Sequence, residues 1–329
     1  MPIVIIGRNE GARLKACLRA ALNDAETVVY VDSGSTDGSA AYARSVGCRV
    51  VELGGSRPFS AARARNEGFA CAMERRPDAE LVQFVDGDCE LEEGWLKRGA
   101  TELSERDDVG VVFGRVRETD PQASVFNRLI DLEWRQPAGE ARTSGGRFMA
   151  RVRTFREVGG FRPDVIGAED DEFCIRVRGR DWKILMIDAP MARHSAAITS
   201  FSQWWRRNRR AGHGYAQVAA LHGAGPERYF VRERTRILIW GLALPVAAFV
   251  LTPFTRGISL PGLLGLYALQ LVHIARGSRK RGWAVKDAWA YALFTVISRF
   301  AELEGLITYY WRRLRGQEMT IIEYKQRSK

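Results

Sequence analysis

The sequence predicts an α/β domain, its mainly parallel sheet covered by helices on both faces, followed by a C-terminal helical membrane module. Three observations carry this. Short apolar runs alternate with helix-periodic stretches through about the first 190 residues. Polar loops follow three of those runs directly. Further on, two stretches of 19 residues each carry no charge.

Each element has its own warrant. Pro2-Ile3-Val4-Ile5-Ile6 is a continuous apolar run, as expected of a strand buried on both faces. Leu14, Cys17, Leu18 and Ala21 recur at i, i+3, i+4, i+7 and mark one face of a helix. Thr27–Val31 reads as the next strand and Ser39–Val46 as a short helix. Cys48–Leu53 is a third strand, Ala61–Met73 a helix and Leu81–Val85 a fourth strand. In sheets wound this way, ligands sit beyond the carboxyl ends of the strands. The loops expected there are Gly7-Arg8-Asn9-Glu10, the run from Asp32 to Asp37, and Asp86-Gly87-Asp88.

Charge and cysteines narrow the class. The 329-residue chain has a formal charge of +11. From Val231 onward there are 16 Lys+Arg against 6 Asp+Glu, so the part before it is nearly neutral. A nucleic-acid partner would call for basic charge on the folded domain, so none is expected. The five cysteines are odd in number and lack a CxxC pair, which fits reduced thiols in a cytosol. Ile3–Ile6 is too short for the apolar core of a signal peptide.

The chain divides near residue 230. Residues 1–230 form the sheet domain, ending in a basic Trp/Arg helix at about 200–221, and residues 231–329 form the membrane module. Uncharged stretches at 237–255 and 257–275 are each just long enough to cross a hydrocarbon core of roughly 30 Å. Pro253 and Gly257 suit a tight connection, so the pair reads as a transmembrane hairpin. Arg232, Arg234 and Arg236 precede it, and Arg276, Arg279, Lys280 and Arg281 follow. Basic flanks on both outer ends place them on the cytoplasmic side of the inner membrane. The stretch 283–315 holds Arg299, Glu302 and Glu304, charges that are costly within a bilayer, and reads as an interfacial helix. A buried hairpin of a soluble protein is the alternative to the whole module.

The chemistry concentrates at Asp86-Gly87-Asp88. Two hard oxygen donors on a strand end suit Mg²⁺ or Mn²⁺ carrying a diphosphate. The plainer role for Asp88 is to cap a following helix. Further on, Glu169-Asp170-Asp171-Glu172 offers a general base, or simply acids at a helix N-terminus.

Val-Ile-Ile-Gly-Arg-Asn-Glu, Val-Asp-Ser-Gly-Ser-Thr-Asp-Gly-Ser, Ala-Arg-Asn-Glu-Gly and Phe-Val-Asp-Gly-Asp-Cys occur in that order. Gly-Gly-Arg-Phe-Met-Ala-Arg, Val-Gly-Gly-Phe and Ala-Glu-Asp-Asp-Glu-Phe follow them. Over about Met1–His194 this set resembles a membrane-associated, non-processive family 2 glycosyltransferase. The resemblance implies a GT-A fold, a Rossmann-like mixed sheet that binds nucleotide-diphospho-sugars. It implies that Asp32 meets the nucleotide base, with Ser33, Ser35 and Asp37 in the loop around it. Arg8, Asn9 and Glu10 belong to the first nucleotide loop, though Arg8 stands where many members carry an aromatic. Arg65 lies beside the nucleotide, or is a solvated helix charge. Asp86 meets the ribose or the metal, Gly87 lies between the two acids, and Asp88 ligates the cation. Gly146, with Gly145, turns near the donor sugar. Asp170 is the implied base, with Glu169 beside it. His194 is a metal ligand or a structural histidine. In Ser202-Gln203-Trp204-Trp205-Arg206-Arg207, Gln203 and Arg206 fit the Gln-x-x-Arg-Trp motif of processive synthases, but Arg207 replaces its tryptophan. Trp204 and Trp205 are expected at lipid headgroups.

The function implied is inverting, metal-dependent transfer of a sugar from a nucleotide-sugar donor to a lipid-linked or glycan acceptor, in polysaccharide or glycolipid synthesis. A polyprenyl-phosphate monoglycosyltransferase is an alternative. A catalytically silent nucleotide-binding membrane scaffold is another, of a different class. A phosphatase using Asp-x-Asp as nucleophile expects that motif on the first strand, not the fourth.

Overall fold

The computed structural model describes residues 1–25 and 27–320. They form two compact units, Met1–Pro121 with Ile130–Ala197, and Gln122–Leu129 with the chain from Ile198 onward. The expected module's residues 321–329 lie outside the described residues.

The first unit begins β1 (Ile3–Gly7), α1 (Ala12–Asp24), β2 (Val28–Asp32), α2 (Ser39–Ser45), β3 (Arg49–Glu52), α3 (Ala61–Arg75) and β4 (Leu81–Asp86). It continues through β5 (Cys89–Leu91), α4 (Trp95–Glu105), β6 (Val109–Glu118) and α5 (Val125–Glu133), a helix that starts in the second unit. The remainder is β7 (Gly139–Glu140), β8 (Phe148–Arg151), α6 (Val152–Glu157), α7 (Glu169–Arg178) and β9 (Lys183–His194). The sheet order is β3-β2-β1-β4-β8-β6-β9-β5, with β7 beside β9. β1 pairs in parallel with β2 and β4, and β2 with β3. β8 runs antiparallel to both β4 and β6, which makes the sheet mixed.

The local reasons are legible. Ile3, Val4 and Ile5 are fully buried, and Leu14, Cys17, Leu18 and Ala21 form the buried face of α1. Phe84 of β4, Phe148 of β8 and Phe155, Phe161 and Phe173 pack ring on ring. Centroids are 5.1 Å apart for Phe84–Phe155, 5.4 Å for Phe148–Phe173 and 4.6 Å for Phe161–Phe173. This aromatic cluster fixes the start of α7 against the carboxyl end of β4, because Phe173 lies one turn past Glu169.

The second unit consists of α8 (Phe201–His222), α9 (Val231–Leu238), a π-helical turn (Ile239–Ala243), α10 (Leu244–Leu251), α11 (Ser259–Lys280) and α12 (Val285–Leu314). α8 and α12 cross closely at glycines. A Cβ at Gly305 would collide with the Arg209 carbonyl of α8. The charges that argued against a buried third segment are paired here. Arg299 donates to Glu302 at 2.7 Å, and the Trp205 indole N–H donates to Glu304 at 2.8 Å.

Two expectations for this unit are corrected. Val231–Leu251 is one continuous helix of 21 residues, with a window of 18 residues of mean hydropathy 1.6 that is largely unburied. Among the described residues it is the one helix long and apolar enough to cross a membrane. The stretch 257–275 lies within α11, whose turns carry Ser259, Gln270 and His273 before Arg276, and these dilute its apolar content. α10 and α11 nonetheless pair as a hairpin, since the Ser259 hydroxyl donates to the Ala248 carbonyl at 2.7 Å. Trp204 does not reach outward. It is buried, stacked on Phe126 at 5.7 Å and met edge-on by Phe294 at 5.2 Å. Gln203 is used within the fold, where its side chain and Ser200 form the capping box that starts α8.

Candidate active site

The site residues gather at the carboxyl ends of β1, β2 and β4, all within the first unit. The first two loops are tied together by hydrogen bonds. The Asn9 amide N–H donates to the Ser35 hydroxyl at 2.9 Å, and the Thr36 N–H donates to Asn9 Oδ1 at 2.8 Å. The Gly11 N–H donates to Asp37 Oδ2 at 2.9 Å. Partial burial pushes the Asp37 carboxyl up, but hydrogen bonds from Ser39 and Gly11 outweigh it and hold the group below its ordinary range. Asp32 is buried and accepts from the Tyr30 hydroxyl at 2.9 Å, the Gly34 N–H at 3.0 Å and the Ser35 N–H at 2.7 Å. Its carboxylate thus shapes the loop that surrounds it. Ser33 donates its N–H to the Gly7 carbonyl at 3.0 Å, holding β1 and β2 together at their ends. Arg8 lies over the Phe59 ring at 5.3 Å, and Glu10 pairs with Arg13 at 2.8 Å.

Arg65 is the hub. It sits on α3, 3% exposed, and donates to Asp86 Oδ1 at 2.9 Å and to Glu169 Oε1 at 2.8 Å. It is therefore no solvated helix charge. Burial alone would lower its pKa, but Asp86 and Glu169 more than compensate and raise it. The Gly145-Gly146 turn packs against it. Both residues are left-handed, with φ of 67° and 78°, and a Cβ at Gly146 would stand 2.8 Å from Arg65 Nη2. Glycine is required there by both conformation and space.

Asp86 ends β4, and the Gly87 N–H donates to the Ile6 carbonyl at 2.8 Å, docking the turn on β1. Asp88 is buried and is followed by strand β5, not by a helix, so the capping alternative does not apply. His194 is the last residue of a 12-residue strand, longer than the Lys183–Ile187 run that sequence suggests, and is paired in register with Cys89. Its Nε2 lies 3.1 Å from Asp88 Oδ2, while its Nδ1 is buried with no hydrogen-bond partner among the described residues. Burial, helped by Arg147, depresses the His194 pKa to about 3, so the ring is neutral near pH 7.

The donor set fits a metal. Asp88, Cys89 and His194 each bring one ligand atom, all within 4.8 Å of one another. A neutral imidazole with an unpartnered buried nitrogen beside a carboxylate is the form that ligates a divalent cation.

Asp170 occupies the first turn of α7, next to Glu169. Burial first, and the Glu169 charge second, raise its pKa to about 6, against the opposing pull of Arg65. A carboxylate poised there can take up a proton near neutral pH. Sequence reasoning missed two residues in this site. Arg147 lies 3.8 Å from Asp86 Oδ2, and Trp134 touches both Arg147 and His194. A basic residue straight after a Gly-Gly turn was a usable signal for the first. A lone tryptophan beyond α5 gave none for the second.

Known proteins resemble this chain in sequence and fold. Residues 3–156 match the model of glycosyl transferase family 2. The glycosyltransferase AglE of Haloferax volcanii is 23% identical over 241 residues, 69% of this chain and 77% of that protein. The mannosyltransferase PcManGT of Pyrobaculum calidifontis, solved with GDP-Man and Mn²⁺, superposes with a TM-score of 0.63 at 20% identity, over 95% of this chain and 87% of that one. S. aureus TarS 1-349 superposes with a TM-score of 0.51 at 16% identity, over 96% and 92%. These neighbours show a GT-A fold.

Proposed function

We propose that this chain, whose residues 3–156 match the model of glycosyl transferase family 2, transfers a sugar from a nucleotide-sugar donor, with inversion, to a lipid-linked acceptor at the cytoplasmic face of a membrane. The observation that carries this reading is the junction of Asp86, Arg65, Glu169 and Asp170, which brings a proton-accepting carboxylate beside the strand end that holds Asp88.

The loops of Asn9, Asp32, Ser35 and Asp37 bind and orient the nucleoside. Asp88 and His194, with the Cys89 thiol within reach, would hold a divalent cation. That cation, when bound, offsets the charge that develops on the departing nucleoside diphosphate. Asp170 accepts the proton of the acceptor hydroxyl as its oxygen attacks the anomeric carbon, and the bond to the diphosphate breaks. Arg65 fixes Asp86 and Glu169 so that Asp170 keeps its place and its raised pKa. A silent scaffold would have no use for a carboxylate tuned in this way.

Membrane attachment is supported by Val231–Leu251 and by the exposed apolar side chains of the same unit, Phe249 (76% exposed), Phe254 (81%) and Ile258 (72%) among them. Arg232, Arg234 and Arg236 near the start of that helix favour a cytoplasmic position for it. A membrane-bound enzyme meets a lipid-linked acceptor by diffusion in two dimensions, which is the reason for preferring that acceptor class.

The test is a screen of the purified protein in detergent or vesicles against nucleoside-diphosphate sugars with Mn²⁺. Release of nucleoside diphosphate from one donor, stimulated by membrane lipid extract and yielding a product of inverted anomeric configuration, is expected. No turnover of any donor, with or without extract, contradicts the proposal.

A further inference from the structure

We infer that Arg147 is the cation that meets the donor's diphosphate, and that Trp134 is the residue that positions it. This rests on the nucleotide-sugar reading above and adds a residue pair to it.

The backbone delivers Arg147 to the right level of the sheet. β8 runs antiparallel to β4 with Phe148 opposite Phe84. The residue before Phe148 therefore stands level with Val85, one step short of Asp86. The left-handed Gly145-Gly146 turn precedes it and leaves space for two guanidinium groups. A Cβ at Gly145 would lie 3.3 Å from Arg147 Nη2, and one at Gly146 2.8 Å from Arg65 Nη2.

The two arginines differ in what they have left to give. Arg65 donates one short bond each to Asp86 and Glu169, so both of its terminal nitrogens serve carboxylates of the protein. Arg147 is only 11% exposed, yet its ion pair with Asp86 is a long one, 3.8 Å from Nη1 to Oδ2. Its Nε is buried and has no hydrogen-bond partner among the described residues. Burial opposes its charge, but Cys89, to which it also hydrogen-bonds, and Asp86 outweigh that and raise its pKa. A buried guanidinium with donors to spare, beside a strand end rich in acids, has the geometry for a planar, bidentate grip on phosphate oxygens.

Trp134 explains why this cation stays in place. The Arg147 guanidinium lies over its ring at 5.3 Å, and His194 meets the same indole at 4.7 Å with planes 67° apart. One side chain thus sets the spacing between Arg147 and the proposed metal ligand His194. Cation and metal then take the two sides of one diphosphate. Without a ligand role, Arg147 would serve only its contacts with Asp86, Cys89 and Trp134.

The experiment separates these roles by calorimetry with Mn²⁺, using UDP, GDP and dTDP and the matching nucleosides as probes. It compares wild type with Arg147→Gln, Arg147→Lys, Trp134→Leu and Trp134→Phe, each checked for folding by circular dichroism. For the diphosphate that binds, Arg147→Gln is expected to weaken affinity about 10- to 100-fold, the scale of a charge-assisted hydrogen bond. Nucleoside affinity should be unchanged. Trp134→Leu should show the same diphosphate-selective loss in smaller measure, and Trp134→Phe, which keeps an aromatic face, should recover most of it. If Arg147→Gln does not fold, Arg147→Lys decides by the same split, since an ammonium loses the planar grip. Equal losses for diphosphate and nucleoside, or no loss, overturn the inference and leave the functional reading standing. A wild-type protein that binds none of the three diphosphates overturns both.

Discussion

Arg65 on α3 and Glu169 at the start of α7, 104 positions apart in sequence, form a buried ion pair of 2.8 Å. The same guanidinium holds Asp86 at 2.9 Å. One side chain therefore locks the two acidic motifs of the chain to each other. Arg65→Met should leave Glu169 buried without its cation and destabilise the first unit by about 3–5 kcal/mol. Arg65→Met with Glu169→Leu should recover part of that loss. Urea unfolding followed by circular dichroism checks this. An unchanged midpoint for Arg65→Met would show that the pair contributes no stability.

Asp170→Asn should leave donor affinity near wild type while lowering turnover about 10²–10⁴-fold, because the amide cannot accept the acceptor's proton. Near-normal turnover would move the base to Glu169 or Asp171.

The pH profile tests the same residue differently. Asp170 must be deprotonated to act, and its pKa stands at about 6. Activity should therefore fall as pH drops through about 6 and level off above. Glu169→Gln removes a neighbouring negative charge, which favours the Asp170 carboxylate and should move this acid limb to lower pH. Rate measurements from pH 5 to 8 on both proteins decide it. A limb that stays in place or moves upward contradicts the assignment.

Truncation after Pro226 cuts through the second unit, between α8 and the helices that follow it. α8 would remain while α12 is lost, uncovering Trp204, whose ring meets Phe294, and Gly212 and His213 at the close crossing. The truncated protein should therefore aggregate or need detergent, as size-exclusion chromatography would reveal. A monodisperse, soluble product would mean that α8 does not depend on α12.

Much of the first unit was legible because strands and helices there follow local rules. Ile3–Ile6 and Leu81–Val85 are continuous apolar runs, and Leu14, Cys17, Leu18 and Ala21 keep strict helical spacing. The loops at their ends were legible as a set for the same reason, since a parallel sheet gathers its strand ends. What could not be read depends on distant contacts. Nothing near Arg65 in sequence announces Glu169. Trp134 gains meaning only when the fold brings Arg147 and His194 against its ring. In the second unit, composition marked apolar stretches but gave no sign that Trp204 faces inward, because aromatic residues suit both a lipid interface and a helix crossing.

The most direct test of the account is the Mn²⁺ dependence of nucleoside diphosphate binding in Asp88→Ala. The strand-end carboxylate is held to anchor the cation that the diphosphate shares, with His194 3.1 Å away. Calorimetry on wild type should show tighter nucleotide binding as Mn²⁺ is added. In Asp88→Ala that enhancement should disappear, while the binding seen without metal persists. An Asp88→Ala protein whose nucleotide affinity rises with Mn²⁺ as in wild type would contradict the account.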